Sequence, residues 1–221
     1  MERHVPTTLV GTWQAPKNTK GSATKMNQLT PINNPDLMNR LKGIVMLQAP
    51  IYKEVAEDKS ATPTAAMIVA ATSILAGVGQ FLGAVLRGRG NIGASLGLAL
   101  ILIVAQFLGW LLGSWLLAFV AKQFFQGDTD MGEMQRVNGF TRIFGAASVL
   151  SFIPVIGGLI GIAAAIAGIV GNVIGIREAA GFDTQKAILT ALIAGVAAFV
   201  AVFAVVALLS IPFIGAAALS R

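Results

Sequence analysis

The chain has 221 residues, 55% of them hydrophobic and 12% charged, with a formal net charge of +6 and no cysteine. Soluble domains carry about 25% charged residues, so a chain at half that share reads as a membrane protein. The missing cysteine excludes disulfides, thiolate metal sites, iron–sulfur clusters and a cysteine nucleophile, and a single histidine, His4, excludes a multi-histidine metal site. No cofactor is expected.

Residues 1–35 are rich in Thr, Asn, Gln and Pro with scattered Lys and have no apolar period, the pattern of a disordered cytoplasmic tail. Over residues 36–59 the pattern changes. Leu37, Leu41, Ile44, Val45, Tyr52 and Val55 recur at helical spacing, with Asn39, Arg40 and Lys42 on the other face and Pro50 interrupting the run. That spacing predicts two short amphipathic helices, packed on the cytoplasmic ends of a bundle or lying among lipid headgroups. A dedicated partner-binding site is the alternative.

Residues 60–221 form the membrane domain. Four uncharged runs cover 60–86, 90–121, 143–176 and 187–220. A hydrocarbon core about 30 Å thick needs about 20 helical residues, so each run is long enough to cross. The third run has 34 residues and would rise about 50 Å as one helix, too far for a single crossing. Its middle reads Phe152-Ile153-Pro154-Val155-Ile156-Gly157-Gly158, and a proline beside a glycine pair marks a tight reversal. The expected architecture is an all-α five-helix transmembrane bundle with spans at about 63–86, 93–121, 137–153, 157–176 and 187–211. The third span begins before Arg142, whose side chain is expected to snorkel to the interface. The residues after Pro212 are too few to cross again and are expected to be frayed or interfacial.

Within these spans Gln80, Gln106 and Asn172 carry the amides, which are expected to face the bundle interior, as hydrogen-bonding glue or as a polar path for a solute. No Asp or Glu lies in the four uncharged runs, which argues against a proton-driven pump. Five glycine pairs four residues apart, Gly79/Gly83, Gly93/Gly97, Gly109/Gly113, Gly157/Gly161 and Gly171/Gly175, place spans one, two and four at the tight centre. Between spans two and three, Asp128, Asp130 and Glu133 read as a solvated turn leading into a helix N-terminus, with a divalent-cation site as the alternative. The stretch Gly157-Gly158-Leu159-Ile160-Gly161 has no Lys and no preceding strand, which excludes a P-loop.

With the N-terminus inside, Lys53, Lys59, Lys122, Arg136, Arg142, Arg177 and Lys186 fall on the cytoplasmic side, and Arg87, Arg89 and Arg221 fall outside. The bias favours a cytoplasmic N-terminus and an external C-terminus. No cleavable signal core is visible before Lys59, so the first span is expected to direct insertion.

Several motifs then carry a family resemblance. The lead-in 49–62, containing Pro50, Tyr52, Glu54 and Asp58, is followed by Gly132-Glu133-Met134 with Arg136, by Gly139-Phe140, by Ile153-Pro154-Val155-Ile156-Gly157-Gly158, by Ile176-Arg177-Glu178-Ala179 and by Thr184-Gln185-Lys186-Ala187-Ile188. This succession, over about residues 37–210, resembles bacterial members of the Yip family, the Ypt/Rab-interacting-protein type of membrane protein. The resemblance implies five spans, a cytoplasmic N-terminus and no enzymatic activity. Eukaryotic relatives act with Rab-type GTPases at Golgi and endoplasmic-reticulum membranes; the composition here suits a bacterial inner membrane, and that partnership is not carried over. The 35-residue polar tail departs from the family pattern.

Three functions follow as expectations. A scaffold, adaptor or accessory subunit of a membrane assembly leads. A small-solute or lipid carrier requires Gln80, Gln106 and Asn172 to line one cavity. A membrane enzyme acting on lipid-linked substrates would work through Asp128, Asp130 and Glu133. Expected partners are the lipid bilayer and other membrane proteins, not nucleic acid.

Overall fold

A computed structural model describes residues 35–88, 92–153 and 155–219. The chain separates into two units, Met1–Leu37 and Met38–Arg221, and of the first only the opening residues of one helix are described. The tail, Arg89, Pro154 and Arg221 lie outside the described residues, and so do the disorder expected of the tail and the reversal expected at Pro154.

Among the described residues the secondary structure is helical, without strands. In chain order the α-helices are α1 (Pro35–Val45), α2 (Ala49–Glu57), α3 (Thr62–Leu86), α4 (Ile92–Phe125), α5 (Met131–Thr141), α6 (Ile156–Ala180) and α7 (Thr184–Leu219), with 3-10 turns at Lys59–Ala61 and Arg142–Phe152. Among the described residues four helical stretches are long and apolar enough to cross a membrane: Lys59–Leu86, Ile92–Phe125, Ile156–Ala180 and Thr184–Ile211. The segment expected as span three is not one α-helix. α5 stops at Thr141 and the chain continues as a 3-10 helix to Phe152, an unusual length for a form in which side chains three apart eclipse.

Three local expectations change. Pro50 does not separate α1 from α2: the break falls at residues 46–48, with Leu47 at φ 57°, and Pro50 sits in the first turn of α2. A proline is tolerated there because the first-turn N–H has no intrahelical partner. Pro212 does not end α7, which runs on to Leu219. The tight centre is not made by spans one, two and four. Instead the 3-10 segment packs against both α3 and α6, while α4 lies against α3 and α7.

Burial is concentrated at one end. The largest fully buried side chains include Tyr52, Phe140, Ile44, Met134, Ile176 and Val55, contributed by the lead-in, by α5 and by the last turns of α6. Away from that end the outer helix faces are apolar and exposed, as at Leu192, Val196, Val200 and Leu208 on α7. A water-soluble chain does not leave such continuous faces uncovered, whereas a lipid-facing helix requires them.

The connections are built by ordinary capping chemistry. Before α5, the Asp130 carboxylate accepts from the Glu133 N–H at 2.8 Å, and the Glu133 carboxylate accepts from the Asp130 N–H at 3.1 Å. This capping box uses two of the three acidic side chains of that loop to satisfy helix N–H groups. α6 ends on Gly181 at φ 65°, a left-handed position suited to glycine, with the Phe182 N–H donating to Arg177 O at 3.0 Å. Phe182 then packs over Gly127, where a methyl would sit 2.5 Å from the ring, and so draws the α4–α5 and α6–α7 connections together.

Candidate functional site

Two assemblies use most of the singled-out residues. The first joins the lead-in to the bundle. Burial makes α2 one-sided: Tyr52, Val55 and Ala56 face inward while Lys53, Glu54 and Glu57 are exposed. The Tyr52 hydroxyl donates to Ile44 O at 3.0 Å, and burial raises its pKa above the ordinary phenol value. Beneath it α6 presents two glycines. A methyl at Gly171 would lie 2.6 Å from Tyr52 Oη, and one at Gly175 would collide with Val137 of α5. Glycine is required at both because a side chain and a neighbouring helix occupy the space a Cβ needs.

Arg136 of α5, only 4% exposed, closes this assembly. Its Nε donates to Ala56 O at 2.9 Å, Nη2 donates to the same oxygen, and Nη1 donates to Thr62 Oγ1 at 3.4 Å. The carbonyls of a helix's last turn lack intrahelical donors and carry the negative end of the helix dipole, so a buried guanidinium belongs at this end of α2. One turn on, Gly139 meets α3, where a methyl would be 2.7 Å from Ala65 Cβ.

Outside the clamp, Arg40 Nε pairs with Glu54 at 2.8 Å and Arg40 Nη1 with Asp58 at 2.7 Å. Asp58 also accepts from Ser60 N at 2.9 Å and Ser60 Oγ at 2.6 Å. Its carboxyl is held below the usual range first by the Ser60 hydroxyl, against partial burial, and then by Arg40. Arg177 pairs with the adjacent Glu178 at 2.8 Å. Gly157 is buried and its N–H donates to Ile153 O at 3.0 Å, whereas Gly158 is exposed and a methyl there would meet nothing within 4 Å.

The second assembly lies inside the membrane domain. Gln106 on α4 and Asn172 on α6 border one cavity of about 490 Å³, together with Asn138 and Arg142. A second cavity, of about 370 Å³, is bordered by Asn138, Arg142 and Asn172 again. The Asn138 amide donates to Ser114 Oγ at 3.2 Å, and Arg142 Nη1 donates to Gln106 Oε1 at 3.0 Å. Asn172 Oδ1 is buried without a hydrogen-bond partner.

Two expectations fail here. Gln80 is exposed on α3 and borders neither cavity, because the inward face of α3 is taken by Thr72, Ser73, Gly77 and Gly79. Arg142, expected to reach for an interface, instead bonds Gln106, which lies about 24 Å along α4 from Lys122, so its guanidinium meets the middle of that helix and not its charged end. Asn138 does not stand out in the sequence, although its spacing of four from Arg142 puts both on one face of a helical segment.

The match that decides the family covers about three quarters of the chain, since the family model of the Yip1 domain fits residues 45–207. This chain belongs to the Yip family. No curated protein and no solved structure matches it. The Yip1 match starts just ahead of α2, takes in the second assembly and all of the first but Arg40 and Ile44, and ends within α7. With its apolar helices, this Yip-family chain is a multi-pass integral membrane protein, and the Yip family is not known as enzymatic.

Proposed function

We propose that this Yip-family protein is a non-enzymatic organiser of its membrane, acting as scaffold, adaptor or accessory subunit. The observation that carries this reading is where the motif residues go. Tyr52, Arg136, Gly139 and the α6 glycines are consumed in fixing the lead-in to the helix ends, and Glu54 and Asp58 in pairing with Arg40. None of them is grouped around a reacting atom. The product is a rigid platform whose exposed face carries Lys53, Glu54 and Glu57.

In this reading the chain crosses five times. The five residues of α5 after Arg136 and the 3-10 segment of 11 residues, with rises of about 1.5 and 2.0 Å per residue, give about 30 Å, enough for a fifth crossing. The platform and its amphipathic helices then lie on the cytoplasmic side, the C-terminus outside, and the composition suits a bacterial inner membrane. The carrier alternative lacks one of its three amides, since Gln80 lies outside the cavity. The enzyme alternative relies on carboxylates of which Asp130 and Glu133 already cap α5.

The test is crosslinking and purification of the full-length protein from its own membrane, with Gly139→Leu as comparison. A membrane protein recovered in fixed ratio with wild type and lost with Gly139→Leu, while the helix content of the variant stays constant, is the expected result. Recovery without any partner contradicts the organiser reading.

A further inference from the structure

One cation within the membrane domain has no counter-charge. Arg142 stays protonated in any protein environment and offers a fork of N–H donors. Among the described residues its guanidinium makes one hydrogen bond, to Gln106, and no Asp or Glu pairs with it. A charge at this depth is costly unless something answers it, and intramembrane ionisable groups accordingly mark ligand and ion sites.

The space beside Arg142 has a definite shape and chemistry. Leu102, Ala105, Leu117 and Val202 supply apolar walls. Phe199 and Phe203, 69% and 62% exposed, also border the cavity and stack on each other at 5.9 Å. The cavity therefore opens sideways past α7, towards lipid. Its room comes from residues without side chains: a methyl at Gly195 would meet nothing within 4 Å, one at Gly113 only Asn138 Nδ2 at 3.7 Å, and one at Gly109 only Val202 at 3.4 Å. The Gly109/Gly113 pair therefore opens a cavity rather than a close helix contact.

We propose that Arg142 holds the anionic head of an amphiphile, a phosphate or a carboxylate on an acyl chain, which enters from the bilayer past Phe199 and Phe203 of α7. An inorganic anion would answer the charge and leave the apolar walls and the aromatic mouth without a role; a neutral lipid would fill the walls and leave the charge unanswered. Asn172 borders the same space with its oxygen unpartnered, a fit for a hydroxyl carried by the head. The site goes beyond the organiser reading and does not depend on it.

The experiment is thermal melting of the purified full-length protein in detergent, titrated separately with oleate, dioleoyl phosphatidylglycerol and dioleoyl phosphatidylcholine. At least one anionic probe is expected to raise the melting temperature saturably, and the neutral lipid is not. In Arg142→Gln the midpoint should weaken about tenfold or more, the loss of one charge-assisted contact. Gly195→Phe keeps Arg142 and fills the cavity from α7, so it should abolish the response and carries the test alone if Arg142→Gln does not fold. A response to oleate alone assigns a carboxylate, and one to phosphatidylglycerol alone a phosphate. Equal response to phosphatidylcholine, no response to any probe, or an unchanged midpoint in a folded variant overturns the site.

Discussion

At the residue scale, the decisive side chains are those whose partners are backbone atoms. Arg136 reads in the sequence as a positive charge for topology and as part of a family motif, neither of which names its partners, Ala56 O and Thr62. Replacing it with Ala takes both guanidinium donors from Ala56 O in the last turn of α2, and the loss of hydrogen bonds from a charged donor should cost about 2 kcal/mol. Arg136→Lys should recover only part of this, because an ammonium cannot reproduce the fork. Melting of the detergent-solubilised protein checks the magnitude, and faster proteolysis at Lys53 and Lys59 checks the location. Asp58 supplies a pH dependence. Its carboxyl pKa is depressed in the fold, so its contribution is in place above the ordinary carboxylate range and is lost as pH falls through the lowered value. The lead-in should therefore loosen below about pH 4, and Asp58→Asn should flatten that dependence when proteolysis is followed against pH.

At the element scale, glycines decide which helices meet, and two pairs with the same spacing do opposite things. Gly171 and Gly175 admit Tyr52 and Val137, whereas Gly109 and Gly113 face a cavity. Spacing alone cannot separate these cases, because it says nothing about which helix stands opposite. Gly171→Ala should destabilise by about 1–3 kcal/mol through overpacking, and Tyr52→Phe by about 1 kcal/mol through the lost hydroxyl bond. Their closest conflict is the hydroxyl itself, so the double variant should be more stable than the sum of the two losses allows; strict additivity in a double-mutant cycle would place the strain elsewhere. The long apolar helices were legible because an uncharged run of bilayer-spanning length suits a lipid environment and few others. The division of residues 131–152 into α and 3-10 parts was not, since Arg142–Phe152 has ordinary helical composition and nothing in it announces its packing between α3 and α6. The candidate site was half legible: Gln106 and Asn172 stood out as amides in apolar runs, but Gln80 looks the same in sequence and turns outward.

At the scale of the whole molecule, packing is uneven. One end is a buried core around Tyr52 and Phe140, and the remainder is a looser set of apolar helices that encloses Arg142 and its cavities. That division suits a protein whose dense end meets partners while its membrane part meets lipid. The proposed five crossings would place Val155 on the side opposite the lead-in. The chain has no cysteine, so single cysteines report on sidedness without background. The direct measurement is labelling of intact cells by a membrane-impermeant maleimide, with cysteines placed at Lys53, at Asp128, at Val155, which is 77% exposed, and after Arg221. Five crossings require labelling at Val155 and at the C-terminus and protection at Lys53 and Asp128 until the cells are opened. Labelling of Lys53 and of the C-terminal cysteine from the same side would mean an even number of crossings and would contradict a fifth crossing through Arg142–Phe152.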